Sequence, residues 1–366
     1  MKIGIITFHR AYNYGAVLQA FALMKTLEDK GAEVEFIDYR SKSISEHYKL
    51  FPSIQGLKLK NKINVIIYNL LLFPFKYIRF FGFKKFIFRR LKLSRTQYKN
   101  STDIKWDYYD ICVYGSDQIW NMDIIKNDLV YLGETNGILV SKVSYAASMG
   151  AQVESEIPIF RRYLKKFNQI SVRESSMIDF LQPLTERTIY QVLDPTLLLS
   201  ENDWNKIEKP INLKDKYVLV YQVYRDDKLL KFAREIAKKL NLRIIELTSD
   251  AFLTHDSRKK ILASPEEFIS YLKNSSFVVT SSFHGLAFSL IYRKNFYALG
   301  LQSMNLGLNN RIYSLLRELN LLDRYIIDYI VPCKMMPIDY VPVVERLNQL
   351  RENSFDFIDK FLNSLS

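Results

Sequence analysis

Residues 2–39 read KIGIITFHRAYNYGAVLQAFALMKTLEDKGAEVEFIDY. Lys2–Thr7 is a short β-branched run. Tyr14–Asp29 places Val17, Leu18, Phe21 and Leu27 at helical spacing, and Gly31 follows where a left-handed residue closes a helix. Glu33–Tyr39 alternates like a strand. Strand, turn, helix and strand within about 40 residues make a βαβ unit, so the sheet it starts is expected to be parallel.

The same alternation continues outward. Strand-like runs recur at Ile111–Tyr114, Val140–Ala146, Gln169–Val172 and Thr188–Val192, with helical patterns at Ile157–Phe167 and Ser175–Leu181. Asp194-Pro195 and the polar stretch Ser200–Lys216 read as a boundary. A second series begins with strand Tyr217–Val223, helix Asp226–Leu240 and strand Arg243–Leu247. Ser264-Pro265-Glu266-Glu267 is a helix start with Ser at N-cap, Pro at N1 and Glu at N3, and that helix runs to Lys273. Strand Ser276–Thr280, helix Leu286–Tyr292, strand Asn295–Leu299, helix Asn309–Leu319 and a terminal helix Val343–Leu362 complete the chain. The expected fold is α/β, with two doubly wound Rossmann-like domains facing across a cleft. Residues 1–205 form the first, with an insertion at 47–102; residues 206–340 form the second; a helix occupies 341–366. Ligands of such sheets collect at the carboxyl ends of the strands.

At 366 residues, with 48% apolar and 25% charged residues, the chain suits two globular domains. Cys112 and Cys333 sit in apolar runs without CxxC spacing, and both read as reduced and buried. No secretory leader is read ahead of the strand at Ile3, so the expected location is cytoplasmic. Four histidines without metal-ligand spacing make a metal site unexpected. The net charge of +13 is local: His47–Thr102 holds 13 Lys or Arg and no acid, while the other 39 basic residues match the 39 Asp and Glu. A basic face confined to one segment does not point to nucleic acid.

Three turns follow strands where a site is expected. Phe8–Gly15 sets a glycine before a helix N-terminus that favours anions, but it carries no GxGxxG. Its other reading is a helix cap with a close-packed glycine. Tyr114–Asn121 clusters polar side chains after an apolar strand; Asp117 could serve as general base and Trp120 could stack on a sugar. The alternative is an Asp cap beside a core tryptophan. Ser282-Phe283-His284-Gly285 carries a histidine able to exchange protons near neutral pH, next to a helix N-terminus. Arg173 after strand Gln169–Val172, and Arg311 at a helix start, could each grip a carboxylate or phosphate, or simply form surface ion pairs.

With GIITFHRAYNYGAVLQ, YGSDQIWN, SYAASMG, ISVRE, LDPTLLL, TSSFHG and NNRIYSLL in order from residue 4 to about 320, the chain resembles the polysaccharide pyruvyltransferase family. The resemblance implies a GT-B-like fold and transfer of the pyruvyl group of phosphoenolpyruvate, a co-substrate rather than a cofactor, onto two sugar hydroxyls as a cyclic ketal. It places the family's active-site histidine on His284 and its donor-binding arginine on Arg173. Ser282 stands where better-characterised members have an arginine, which gives Arg311 or backbone N–H groups the donor phosphate. The resulting set is His284 and Asp117 as catalytic; Arg173, Ser282, Phe283, Gly285 and Arg311 on the donor; Asn13, Tyr14, Gly15, Gln118, Trp120 and Asn121 on the acceptor. Two other readings stay open: a GT-B-like glycosyltransferase using a nucleotide sugar, and a non-catalytic assembly factor at a membrane surface.

The 47–102 segment holds INVIIYNLLLFPF at 63–75, too short to span a bilayer and interrupted by Pro74, then a Tyr77–Phe88 stretch mixing five Phe with Lys and Arg. It reads either as an amphipathic element on an anionic membrane, near a sugar or lipid-linked acceptor, or as a helical insertion packed on the first domain. The first reading makes the protein peripheral at the inner face of the membrane.

Overall fold

The structure is a computed structural model describing residues 1–47, 59–150, 152–213, 215–248, 259–301 and 306–364; part of the expected insertion, 48–58, lies outside them. The elements run in chain order β1 (Lys2–Ile6), α1 (Tyr14–Asp29), β2 (Glu33–Tyr39), α2 (Lys42–His47), α3 (Leu59–Arg90), β3 (Leu93–Tyr98), β4 (Ile111–Asp117), α4 (Met122–Ile125), β5 (Ser141–Ala147), α5 (Ile157–Leu164), β6 (Gln169–Val172), α6 (Ser175–Leu181), β7 (Ile189–Gln191) and α7 (Glu201–Asn205). They continue β8 (Tyr217–Tyr221), α8 (Asp227–Leu240), β9 (Arg243–Leu247), β10 (Lys259–Ile261), α9 (Pro265–Lys273), β11 (Phe277–Thr280), α10 (Phe283–Ile291), β12 (Asn295–Leu299), α11 (Leu306–Glu318), β13 (Tyr325–Ile326) and α12 (Tyr340–Asn363).

Every strand pair is parallel, as the βαβ reading requires. The first sheet has the order β3-β2-β1-β4-β5-β6-β7 and the second β10-β9-β8-β11-β12-β13. Strand order reverses between β1 and β4 in one and between β8 and β11 in the other, and at such switch points the loops diverge to leave a crevice. The two doubly wound domains face each other there, in a GT-B-like arrangement.

Between them lies a continuous apolar core. Helix α1 is buried from Tyr14 to Met24 because it packs on β4 of its own sheet and on α9 and α10 of the other. Tyr14 stacks on Phe268 of α9 at 4.5 Å between ring centroids and donates its hydroxyl to the Ala263 carbonyl at 2.8 Å. Phe21, Trp204 and Phe288 extend the seam. Helix α12 closes it: the Tyr340 hydroxyl donates to the Lys294 carbonyl in the second domain, while Ser354 accepts from the backbone N–H of Leu193 in the first.

Four expectations need correction. Pro74 does not end the helix that holds it: α3 runs through it, although an interior proline removes one hydrogen bond and crowds the carbonyl one turn back, at a cost of about 3 kcal/mol. Cys333 is exposed, because it lies in the surface stretch between β13 and α12; Cys112 is buried, and both are free. Tyr14, expected on the acceptor, is an interdomain core residue. His284, expected in a turn, lies in the first turn of α10, which begins three residues before the expected helix.

Replacing the fully buried Tyr14 with Ala is expected to cost about 3–5 kcal/mol in urea-induced unfolding. A loss under about 1 kcal/mol would mean that the seam does not couple the domains.

Candidate functional site

The first turn reaches the third through Gly15. A Cβ at that position would fall 2.0 Å from Nδ1 of His284, so only glycine lets α1 approach the imidazole. Asn13 is taken up locally, its side chain accepting from the Ala16 N–H as the cap of α1. His9, in the same turn, points elsewhere: it lies 3.4 Å from Asp38, which also receives Arg10 through two hydrogen bonds.

Ser282, with extended backbone, caps α10 by position while its own N–H donates to Thr280 Oγ1; its side chain makes no capping bond. Gly285 serves packing, since a Cβ there would meet Thr280 Oγ1 at 2.2 Å. The placing of His284 is set by this tight entry from β11.

The centre of the arrangement is Asp194, which in sequence reads as part of a domain boundary. It is fully buried. Its Oδ2 accepts from Arg173 Nη1 at 2.8 Å and from Ser116 Oγ at 3.3 Å, and lies 3.6 Å from Nε2 of His284. Its Oδ1 accepts from the Thr196 N–H and hydroxyl. Burial alone would raise the Asp194 pKa; His284 and then Arg173 outweigh it and hold the carboxyl well below its usual range. The signal in sequence was an acid inside the apolar run VLDPTLLL.

Arg173 also donates through Nε to Glu174, whose same oxygen accepts from Ser148, and its guanidinium lies 4.7 Å from the Phe283 ring. Burial works against its charge, but the carboxylates of Glu174, Asp194 and Asp117 hold the proton firmly in place. Arg311 on α11 is pulled down to about 10 by burial and by the neighbouring Arg173 charge. Arg173 Nη2 and Arg311 Nε are buried without a hydrogen-bond acceptor among the described residues. Both arginines line a cavity of about 130 Å³, with Asp194, Phe283, Gln191 and Glu318 also in its wall. His284 stands just outside that wall, across Asp194. Two guanidinium N–H groups without an acceptor among the described residues, beside a partly open cavity, suit an anion, because burying them otherwise costs free energy with no return.

Asp117 ends β4 with a left-handed backbone, and its charge acts on both arginines. Gln118 and Asn121 are paired with each other at 2.8 Å, and a Cβ on Gly150 would fall within 2.8 Å of both amides. Asn121 also caps α4. The sugar-stacking expectation for Trp120 is corrected: its ring is sealed among Phe160 and Phe167, and its indole donates to the Tyr131 carbonyl. The structure thus brings Gly15, Asp117, Arg173, Phe283, His284 and Arg311 together, and leaves Trp120 and Tyr14 in the core.

A family model described as polysaccharide pyruvyl transferase matches residues 13–303. Among curated proteins none matches. Similar solved structures include UDP-GlcNAc 2-epimerase from Methanocaldococcus jannaschii in complex with UDP-GlcNAc and UDP, at 12% identity and TM-score 0.47, with 100% of each chain covered. UDP-N-acetylglucosamine 2-epimerase from Rickettsia bellii is 8% identical at TM-score 0.47, covering 100% of this chain and 97% of that one. UGT89C1 of Arabidopsis thaliana, complexed with quercetin, is 10% identical at TM-score 0.44, covering 100% and 99%.

Asp194→Asn removes one of the two carboxylates that Arg173 hydrogen-bonds and leaves Glu174 as the other, and it is expected to cost about 1–3 kcal/mol. The contribution of Asp194 is present above the unfolded carboxyl pKa near 4 and is lost as pH falls through the lower folded value. Urea midpoints measured across that acid range should therefore fall less steeply in the variant; equal slopes would remove Asp194 from the account.

Proposed function

Since the chain belongs to the polysaccharide pyruvyl transferase family, we propose that it transfers the pyruvyl group of phosphoenolpyruvate to a sugar of a cell-surface polysaccharide or its lipid-linked precursor, closing a ketal. The observation that supports this reading is the pair of buried guanidinium groups, Arg173 and Arg311, with N–H donors left open beside the His284–Asp194 contact. A donor carrying one carboxylate and one phosphate offers two anionic groups to two such cations. Arg311 takes the place that Ser282 leaves empty of charge.

Each step balances in protons and charge. The imidazolium of His284 gives its proton to the methylene carbon of the donor, which becomes a methyl group. The adjacent carbon becomes electron-poor and is attacked by a sugar hydroxyl, whose proton passes to Asp117. Phosphate departs with its bonding pair and takes up the proton held by Asp117; a second hydroxyl of the same sugar attacks, gives its proton to the now neutral His284, and the ketal ring closes with both side chains restored. Asp194 holds Arg173 in place and lies 3.6 Å from Nε2 of His284, so a proton taken up there faces a fixed carboxylate. Asn13, Gln118 and Asn121 stand on the acceptor side. No bound cofactor enters the scheme.

Titration calorimetry with phosphoenolpyruvate and a panel of nucleotide sugars tests the donor. Phosphoenolpyruvate is expected to bind, and Arg311→Gln to weaken it roughly 10–100-fold, the worth of one charge-assisted hydrogen bond. His284→Gln should keep donor binding and lower phosphate release in the presence of glycoside acceptors by at least about 100-fold. Heat from a nucleotide sugar with none from phosphoenolpyruvate would replace this reading with glycosyl transfer. Silence from every donor, with His284→Gln indistinguishable from wild type in the cell, would favour the assembly role.

A further inference from the structure

Helix α3 presents two unlike faces over its described side chains. One is fixed to the protein: Phe83, Phe86 and Ile87 are buried, Arg79 donates to the Tyr12 carbonyl at 2.5 Å, Gly82 abuts Ser264 of the second domain, and Arg90 pairs with Glu266. The other carries large apolar side chains into solvent: Phe73 is 40% exposed, Tyr77 48%, Ile78 63%, Phe81 54% and Phe88 56%. At 100° per residue these five fall within one half of the helix, and Lys84, Lys85 and Arg89 share it, all exposed. Phe73, Tyr77 and Phe81 form a row, with centroid separations of 5.7 and 6.2 Å.

We propose that this face of α3 docks the protein on an anionic membrane surface, lying in the headgroup plane. Leaving large apolar side chains such as Tyr77, Ile78 and Phe81 exposed to water is a cost that a folded monomer does not normally keep without a function for the patch. The partner's charge is set by the segment around it, with 13 basic and no acidic residues from His47 to Thr102. A second copy would bring two such cationic faces together, which repel. A nucleic acid would engage the cations but leave the apolar row poorly covered. A lipid interface takes both, acyl boundary for the rings and phosphate for the lysines. Among the described residues no helix is long and apolar enough to cross a membrane, so the contact is a surface one. The fixed face of α3 touches Tyr12, beside the Asn13–Gly15 turn, which brings the bilayer close to the cleft.

Flotation of the full chain with phosphatidylcholine vesicles, with and without phosphatidylglycerol, tests this independently of the transfer reaction. Binding is expected only with phosphatidylglycerol and should fall with added salt. Lys84→Glu with Lys85→Glu should weaken it roughly tenfold or more. Tyr77→Ser, Ile78→Ser and Phe81→Ser together should also release the protein, with the circular dichroism spectrum unchanged because these side chains are exposed. The proposal is overturned if wild type fails to float with phosphatidylglycerol at low salt, or if either variant floats like wild type. Concentration-dependent self-association or retention of a DNA duplex in place of vesicle binding would equally overturn it.

Discussion

Everything at the centre of this molecule depends on one buried carboxylate that holds an arginine of its own domain and faces a histidine of the other. Asp194 follows β7 of the first sheet, Arg173 follows β6 of the same sheet, and His284 comes from α10 of the other. A charge taken out of water is tolerable only when its partners are near and well aimed. Thr196 and Ser116 supply the remaining donors, so the carboxylate is saturated on one oxygen and shared on the other. The seam between the domains is therefore not only apolar. It carries an electrostatic lock whose two sides belong to different folding units.

The arginine pair is the reverse case. Arg173 is over-compensated by three carboxylates, while Arg311 is left under-compensated and loses proton affinity. An anion entering the cavity would relieve that imbalance, and the gain would appear as binding free energy. Placing the unsatisfied group on a helix of the second domain, against a satisfied one on the first, means that a ligand holding both also holds the domains together.

The alternation of strands and helices was legible along nearly the whole chain because parallel sheets bury both faces and leave unbroken apolar runs. Polar turns at Asp117, Arg173 and His284 stood out for the same reason, as interruptions of those runs. What failed depends on tertiary context. Trp120 and Tyr14 have the composition of ligand platforms, and only the neighbouring Phe160, Phe167 and Phe268 show that they are core. Asp194-Pro195 has the chemistry of a linker, yet the chain folds inward there. The course of α3 through Pro74 is set by tertiary packing, in which burial of Phe83 and Phe86 offsets a local penalty of about 3 kcal/mol. Short strands β3, β10 and β13 have sequences too polar or too brief to carry a period.

Helix α12 begins on the second domain, at the Tyr340–Lys294 contact, and ends against the first, where Ser354, Phe357 and Asp359 meet Leu193, Tyr145 and Lys30. The polypeptide thus passes between the two units twice, once outward ahead of β8 and once back along this helix. Two tethers remove most of the freedom that one would leave. The spacing of the two halves is thereby tied to a helix that supplies none of Arg173, Asp194 and His284, so a change in α12 bears on the cleft without altering those side chains.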